Sequence, residues 1–190
     1  MNHTKSLVFA SLFTALVIAG TFIKIPVGPV PIVLATLFVL LAGLMLDTIW
    51  AAASILLYLG LGAIGLPVFS SGGGIAYFAG PTGGYLIGYL LAALVANLLS
   101  SERADSIVRD VVAVICASVV IYAIGVPWLK ASLDMSWSAA FSAGLTPFLI
   151  GDAIKAAVAA SLFIGIKRRY PELMPRSGPA PKPGTADSEG

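Results

Sequence analysis

Residues 32–65 form one apolar stretch whose only strongly polar break is Asp47-Thr48. A crossing helix needs about 20 apolar residues. This stretch is therefore too long to cross a bilayer once, and it must turn back on itself. The rest of the chain repeats the pattern. Its residues are 58% hydrophobic and 11% charged, against about 25% charged in soluble domains. The fold class that follows is an all-α integral membrane protein, a single bundle of about six transmembrane helices.

In chain order, a first helix is expected over residues 5–23 and is retained, since no small-residue cleavage site follows residues 7–23. Residues 24–31 (KIPVGPVP) cannot be helical, because Pro26, Pro29 and Pro31 break it. Helices are predicted over 32–46 and 48–64, with Trp50 suited to an interface. A glycine loop follows at 66–81, then a helix over 82–99, a charged turn at 102–110 and a helix over 106–125. Residues 126–140, with Trp128, Lys130, Asp134 and Trp137, read as an amphipathic connection. The last helix starts near Thr146-Pro147, an N-cap with proline at the first helical position, and ends near residue 166. Residues 1–169 thus form the membrane domain. Residues 170–190, rich in Pro, Gly and Ser, are expected to be a disordered tail. The single Cys116 lies in an apolar run and cannot form an intrachain disulfide.

Six crossings put both termini on one side. That side holds Lys5, Arg103, Arg109, Lys167, Arg168, Arg169, Arg176 and Lys182, and the other only Lys24 and Lys130. The positive-inside rule assigns both termini to the cytoplasm and turns the glycine loop outward.

Apart from Asp47 at its turn, only Asp152 and Lys155 place ionisable groups inside a predicted span. Such groups cost about 2.5–3.5 kcal/mol at the bilayer centre on insertion scales and are usually paired and functional. At i, i+3 they share a helix face. Counted from residue 146 at 1.5 Å per residue, they lie about 9 and 13 Å into the helix, in the outer half. Two readings stay open. The pair neutralises itself and ties helices together, or it forms the polar floor of a pocket. As a floor, Asp152 accepts from a substrate N–H and Lys155 donates to a carbonyl or carboxylate. A neutral amide-like ligand or an anion fits, and a bare metal ion does not.

The stretch 60–89 carries Gly72, Gly73 and Gly74, then Gly80-Pro81-Thr82-Gly83-Gly84-Tyr85. Glycine permits φ > 0 and close approach of a ligand, and irregular backbone at membrane depth belongs where it lines a cavity. The alternative is a flexible tip, with Gly83-Gly84 serving only helix packing. Tyr77, Phe78 and Tyr85 wall a ligand or belong to an interfacial belt. No Gly-Lys-Ser/Thr follows the glycines, so the loop does not read as a nucleotide site. The only histidine is His3, which excludes a Ser/His/Asp triad, and no His/Cys/Asp/Glu set has metal-ligand spacing. An enzyme, a metal site, a cofactor and a nucleic-acid partner are not expected. On the first helix, Ala10 with Thr14, and Ser11, Ala15 and Ala19, form small-residue pairs at helical spacing. They serve packing within the bundle or docking of a partner.

Taken together, GLPVF at 65–69, the following GGG, GPTGGYLIGY at 80–89 and the Asp152-x-x-Lys155 pair resemble the BioY family. These are biotin-specific S components of energy-coupling factor (ECF) transporters. The resemblance covers roughly residues 5–167. It implies six helices in a prokaryotic cytoplasmic membrane and biotin captured near the external face under a lid formed by the glycine loop. Asp152 and Lys155 are then implied at the site. Phe69, Gly72, Gly73, Gly74, Tyr77, Thr82, Gly83 and Tyr85 of the matched motifs are expected to join them. Docking on a transmembrane coupling subunit driven by an ATPase pair maps onto Ala10/Thr14 or Ser11/Ala15. From the residues alone, two other readings stay open: a self-sufficient carrier using Asp152 as a proton or ion relay, and a structural membrane subunit that binds no small molecule.

Overall fold

The computed structural model describes residues 3–100 and 107–170. Helix α1 (His3–Phe22) leads into a two-stranded hairpin, β1 (Lys24–Ile25) and β2 (Ile32–Val33). There follow α2 (Ala35–Met45), α3 (Thr48–Ala63), a 3-10 turn at Ile75–Ala79 within the glycine loop, and α4 (Gly83–Leu99). The described chain ends with α5 (Ile107–Leu133), α6 (Trp137–Gly144) and α7 (Leu149–Arg169). By length and composition α1, α5 and α7 can cross a membrane, and α2, α3 and α4 are shorter apolar helices. The expectations for residues 102–106 and the tail, with Arg103, Arg176 and Lys182, lie outside the described residues.

α2 occupies the centre of the bundle. Residues 35–37 and 39–44 are buried, and α1, α3, α4 and α7 all pack on it. At 11 residues and 1.5 Å per residue it is about 16 Å long, too short to cross alone. Its ends therefore need partners, because an unsatisfied backbone group in an apolar medium is costly. At the start, Leu34 N–H reaches the carbonyls of Gly20 and Ile23, each at 3.0 Å. At the end, Asn97 of α4 donates from Nδ2 to the carbonyls of Gly43 (3.1 Å) and Leu46 (2.6 Å). Its Oδ1 accepts from Thr48 at 2.5 Å, which fixes the α2–α3 corner. Close approach of α2 to α4 depends on Gly43, where an added Cβ would lie 2.8 Å from Ala96 Cβ and 3.0 Å from Ala93 Cα.

Several boundaries differ from the sequence reading, each for a local reason. Residues 24–31 are not helical, as read, but they turn as a hairpin through Gly28 at φ +71. Lys24 pairs with Val33 and Ile25 with Ile32, so Ile32 and Val33 belong to β2 and α2 begins at Ala35. α5 does not stop at residue 125. It runs through Pro127 to Leu133, and Trp128 packs against Gly84 of α4 while its Nε1 donates to Gly80 O at 3.0 Å. That packing offsets the hydrogen bond the proline removes. Thr146 does not cap α7, which starts after Phe148. Its hydroxyl instead lies 3.2 Å from Phe141 O at the end of α6.

The two ends of the bundle differ. One carries the α2–α3 corner, the Arg109 Nε bond to Leu99 O (2.9 Å) and a buried Asp110–Lys167 ion pair at 3.2 Å. The other carries the hairpin, the glycine loop and α6.

Gly43→Val is expected to lower stability by about 2 kcal/mol through overpacking at the α2–α4 crossing. Gly165→Ala, where an added carbon meets nothing within 4 Å, should leave stability equal or slightly higher. Thermal unfolding of the purified proteins in detergent measures both.

Candidate functional site

Asp152 and Lys155 lie in the first turns of α7, at the hairpin end. A carboxylate is favoured there by the helix dipole. Lys155 Nζ meets Asp152 Oδ1 at 2.5 Å, Val33 O at 2.9 Å and Thr36 Oγ1 at 3.0 Å. Two of its three donors make hydrogen bonds, to Val33 O and Thr36 Oγ1, and the ammonium meets Asp152 Oδ1 as an ion contact. Asp152 Oδ2 accepts from the Tyr122 hydroxyl of α5. Asp152 Oδ1 makes the ion contact but no hydrogen bond among the described residues. The pair ties α7 to α2 and α5, and both of its residues line a cavity.

Above it is a narrow cavity. The empty space is about 540 Å³ counting its open mouth. Its floor is Asp152, Lys155 and Thr36. One wall is aromatic, with Tyr58 from α3, Tyr85 and Tyr89 from α4, Tyr122 from α5 and Phe148 before α7. The rings of Tyr85, Tyr122 and Phe148 lie 6.3–6.5 Å apart, and Tyr85 is held by its hydroxyl bond to Gly144 O at 2.8 Å. Thr21, Val30, Pro31 and Val33 of the α1 end and hairpin also line it, as do Ser70 and Tyr77 of the glycine loop and Thr82 at the start of α4.

Five of the residues singled out from sequence therefore line the cavity: Asp152, Lys155, Tyr77, Thr82 and Tyr85. Phe69, Gly72, Gly73, Gly74 and Gly83 are not among its lining residues. They shape the loop that carries Ser70 and Tyr77. Phe69 is 1% exposed and sits 4.9 Å from the Tyr77 ring, 5.4 Å from Tyr58 and 5.5 Å from Phe78. Gly72 and Gly74 adopt φ +136 and +102, which side chains disfavour, and Gly74 N–H donates to Gly62 O at 2.7 Å. Gly73 and Gly83 lie against the backbone carbonyls of Leu66 and Phe78.

The sequence reading missed Thr21, Thr36, Tyr58, Tyr89 and Tyr122. The available signal was a phenol or hydroxyl inside an apolar span, which needs a partner. Tyr58 OH, for instance, lies 3.3 Å from Thr21 Oγ1.

On α1, Ala10 and Thr14 are buried. The Thr14 hydroxyl is 2.9 Å from the carbonyls of both Ala10 and Ser54, so this pair packs against α3. Ser11, Ala15 and Ala19 are exposed.

A second, larger space, about 1110 Å³ counted in the same way, opens between α5, α6 and α7. Tyr122 and Asp152 border both spaces. Its surface is otherwise almost wholly apolar, with residues such as Val119, Phe141 and Leu149. It offers little to orient a polar ligand.

Comparison with known proteins places this geometry among transporters. The BioY family matches residues 1–172. A probable biotin transporter BioY from Lysinibacillus sphaericus is 42% identical over 159 residues, 80% of this chain and 81% of the relative. Biotin transporter BioY from Thermotoga maritima is 38% identical, with 86% of this chain and 96% of the relative aligned. The Rhizobium etli biotin transporter BioY is 39% identical, with 92% and 99% aligned. Among solved structures, the S-component for biotin from an ECF-type ABC transporter superposes with TM-score 0.80 at 26% identity, covering 89% of this chain and 95% of that one.

Lys155→Met removes one partner of a buried pair and leaves Asp152 without its counter-ion. It is expected to destabilise by about 3 kcal/mol. The double change Asp152→Asn with Lys155→Met should recover most of that loss. Melting temperatures of the single and double variants, purified in the same detergent, check it.

Proposed function

This chain belongs to the BioY family, and from that premise we propose that it captures biotin in the cavity at the hairpin end of the bundle. It does so as the substrate-binding S component of an ECF-type transporter. One observation carries the reading. The intramembrane pair Asp152–Lys155, held by Thr36, Val33 and Tyr122, forms the floor of an aromatic-walled cavity.

The chemistry is complementary. The ureido ring of biotin offers two N–H donors and one C=O acceptor. Asp152 Oδ1, which has no hydrogen bond of its own, accepts from a ureido N–H. The ureido carbonyl takes one donor of Lys155 in exchange for a present contact. Charge-assisted bonds of this kind are roughly twice as strong as neutral ones. The fused apolar rings lie against Tyr85 and the neighbouring wall of Tyr58, Tyr89 and Phe148. Tyr77 and Thr82 close the mouth, on a loop whose shape is set by Phe69, Gly72, Gly73, Gly74 and Gly83.

All six apolar helices α1–α5 and α7 cross the membrane in this reading, the shorter ones completed by their connections. Lys167, Arg168 and Arg169 end α7 at the pole opposite the cavity. By the positive-inside rule that pole, with both termini, is cytoplasmic, and the cavity opens outside. Energy comes from a separate transmembrane coupling subunit and ATPase pair in a prokaryotic cytoplasmic membrane. The exposed Ser11 and Ala15 of α1 supply the small-residue docking face, because Ala10 and Thr14 are already used against α3.

Asp152→Asn and Lys155→Ala should each weaken biotin binding at least tenfold, since each removes a charged hydrogen-bond partner worth about 1.5–3 kcal/mol. Calorimetric titration of the purified, membrane-inserted variants measures this. Affinities equal to that of the unaltered protein would remove these residues from the site.

A further inference from the structure

Biotin carries a carboxylate at the far end of a flexible chain, and an anion brought against an apolar wall needs a counter-charge. Three lysines lie at the cavity end among the described residues: Lys24, Lys130 and Lys155. Lys155 is already paired with the carboxylate of Asp152 and bonded to Val33 and Thr36, and in the biotin reading it serves the ureido carbonyl. Lys130 lies over the Trp137 ring, 5.4 Å from its centroid, beside α6. Lys24 differs from both. It is exposed, and its ammonium donates to a neutral acceptor, the backbone carbonyl of Ser70. Ser70 and Tyr77, whose hydroxyls are 2.8 Å apart, both line the cavity. The ammonium of Lys24 therefore stands one hydrogen bond from the cavity lining.

The hairpin also sets the distance between floor and rim. Lys24 pairs in register with Val33, and Val33 O is the carbonyl that accepts from Lys155. The same two-stranded unit thus anchors the cation at the floor and carries the cation at the mouth.

We infer that Lys24 is the specificity residue for the carboxylate end of the ligand. This rests on the biotin reading above. The flexible four-carbon stem lets the ammonium exchange a neutral carbonyl for a carboxylate, giving a shorter, charge-assisted bond. Because Lys24 is tethered to Ser70 when no anion is engaged, it also links the hairpin to the glycine loop on either side of the mouth.

The test compares biotin with biotinamide, which keeps the rings and chain but has no charge. Both are titrated into the purified full chain. The unaltered protein should prefer biotin by about fivefold, the upper end for an exposed ion pair. In Lys24→Gln that preference should fall to within about twofold, and Lys24→Arg should retain most of it. Raising the salt concentration should shrink the preference of the unaltered protein, since the contact is exposed to solvent. Equal weakening of both ligands in Lys24→Gln would make Lys24 a loop tether only and overturn the inference. An undiminished preference in that variant would also overturn it. Equal affinities for the two ligands in the unaltered protein would sink the inference and leave the biotin reading standing. Binding of neither would bring down both.

Discussion

The ammonium of Lys155 is the point on which the cavity depends. Removing two charges from water costs several kcal/mol per ion even after relaxation, and nothing in an apolar bundle supplies that by accident. Here the cost is offset by three contacts from three directions: Asp152 on the same helix, Thr36 at the start of α2 and Val33 in the hairpin. Asp152 adds a fourth element through Tyr122 of α5. Three stretches of the chain far apart in sequence, residues 33–36, 122 and 152–155, thus converge on one charge pair, and that pair lines the cavity.

The rest of the fold keeps α2 where Lys155 can reach it. α2 is short and enclosed, so its ends are bonded by α1 and α4 rather than by solvent. The closeness of α4 to α2 at Gly43, and of α5 to α4 where Trp128 meets Gly84, brings the tyrosines of α4 and α5 to one wall. The glycine loop contributes differently. Phe69 anchors it from below among Tyr58, Tyr77 and Phe78. The glycines let the backbone turn tightly enough to carry Ser70, Tyr77 and Thr82 over the mouth.

What was legible in the sequence were features with a large local cost or a strict local geometry. Two charges in an apolar helix, three prolines in eight residues, a triple glycine and the separate apolar runs each announced themselves without knowledge of packing. The motifs 65–69 and 80–89 with Asp152 and Lys155 were enough to point to the family. What was not legible depended on which way an apolar helix faces. Tyr58, Tyr89 and Tyr122 sit in runs where periodicity is weak because lipid and core are equally apolar, so nothing local distinguished a cavity phenol from a belt residue. For the same reason the small residues of α1 could not be divided between packing and exposure. The structure divides them, with Ala10 and Thr14 inside and Ser11 and Ala15 outside. The continuation of α5 through Pro127 was hidden because its compensation, Trp128 against α4, is tertiary.

The central claim is one of location: the ring end of biotin rests on the Asp152–Lys155 floor, between the tyrosine wall and the hairpin. A crystal structure of this protein grown with biotin addresses it most directly. The account predicts the ureido ring within hydrogen-bond distance of Asp152 and Lys155, with the chain leading up to the rim near Ser70 and Lys24. Biotin found in the second space between α5, α6 and α7, with the Asp152–Lys155 contacts unchanged, would contradict it.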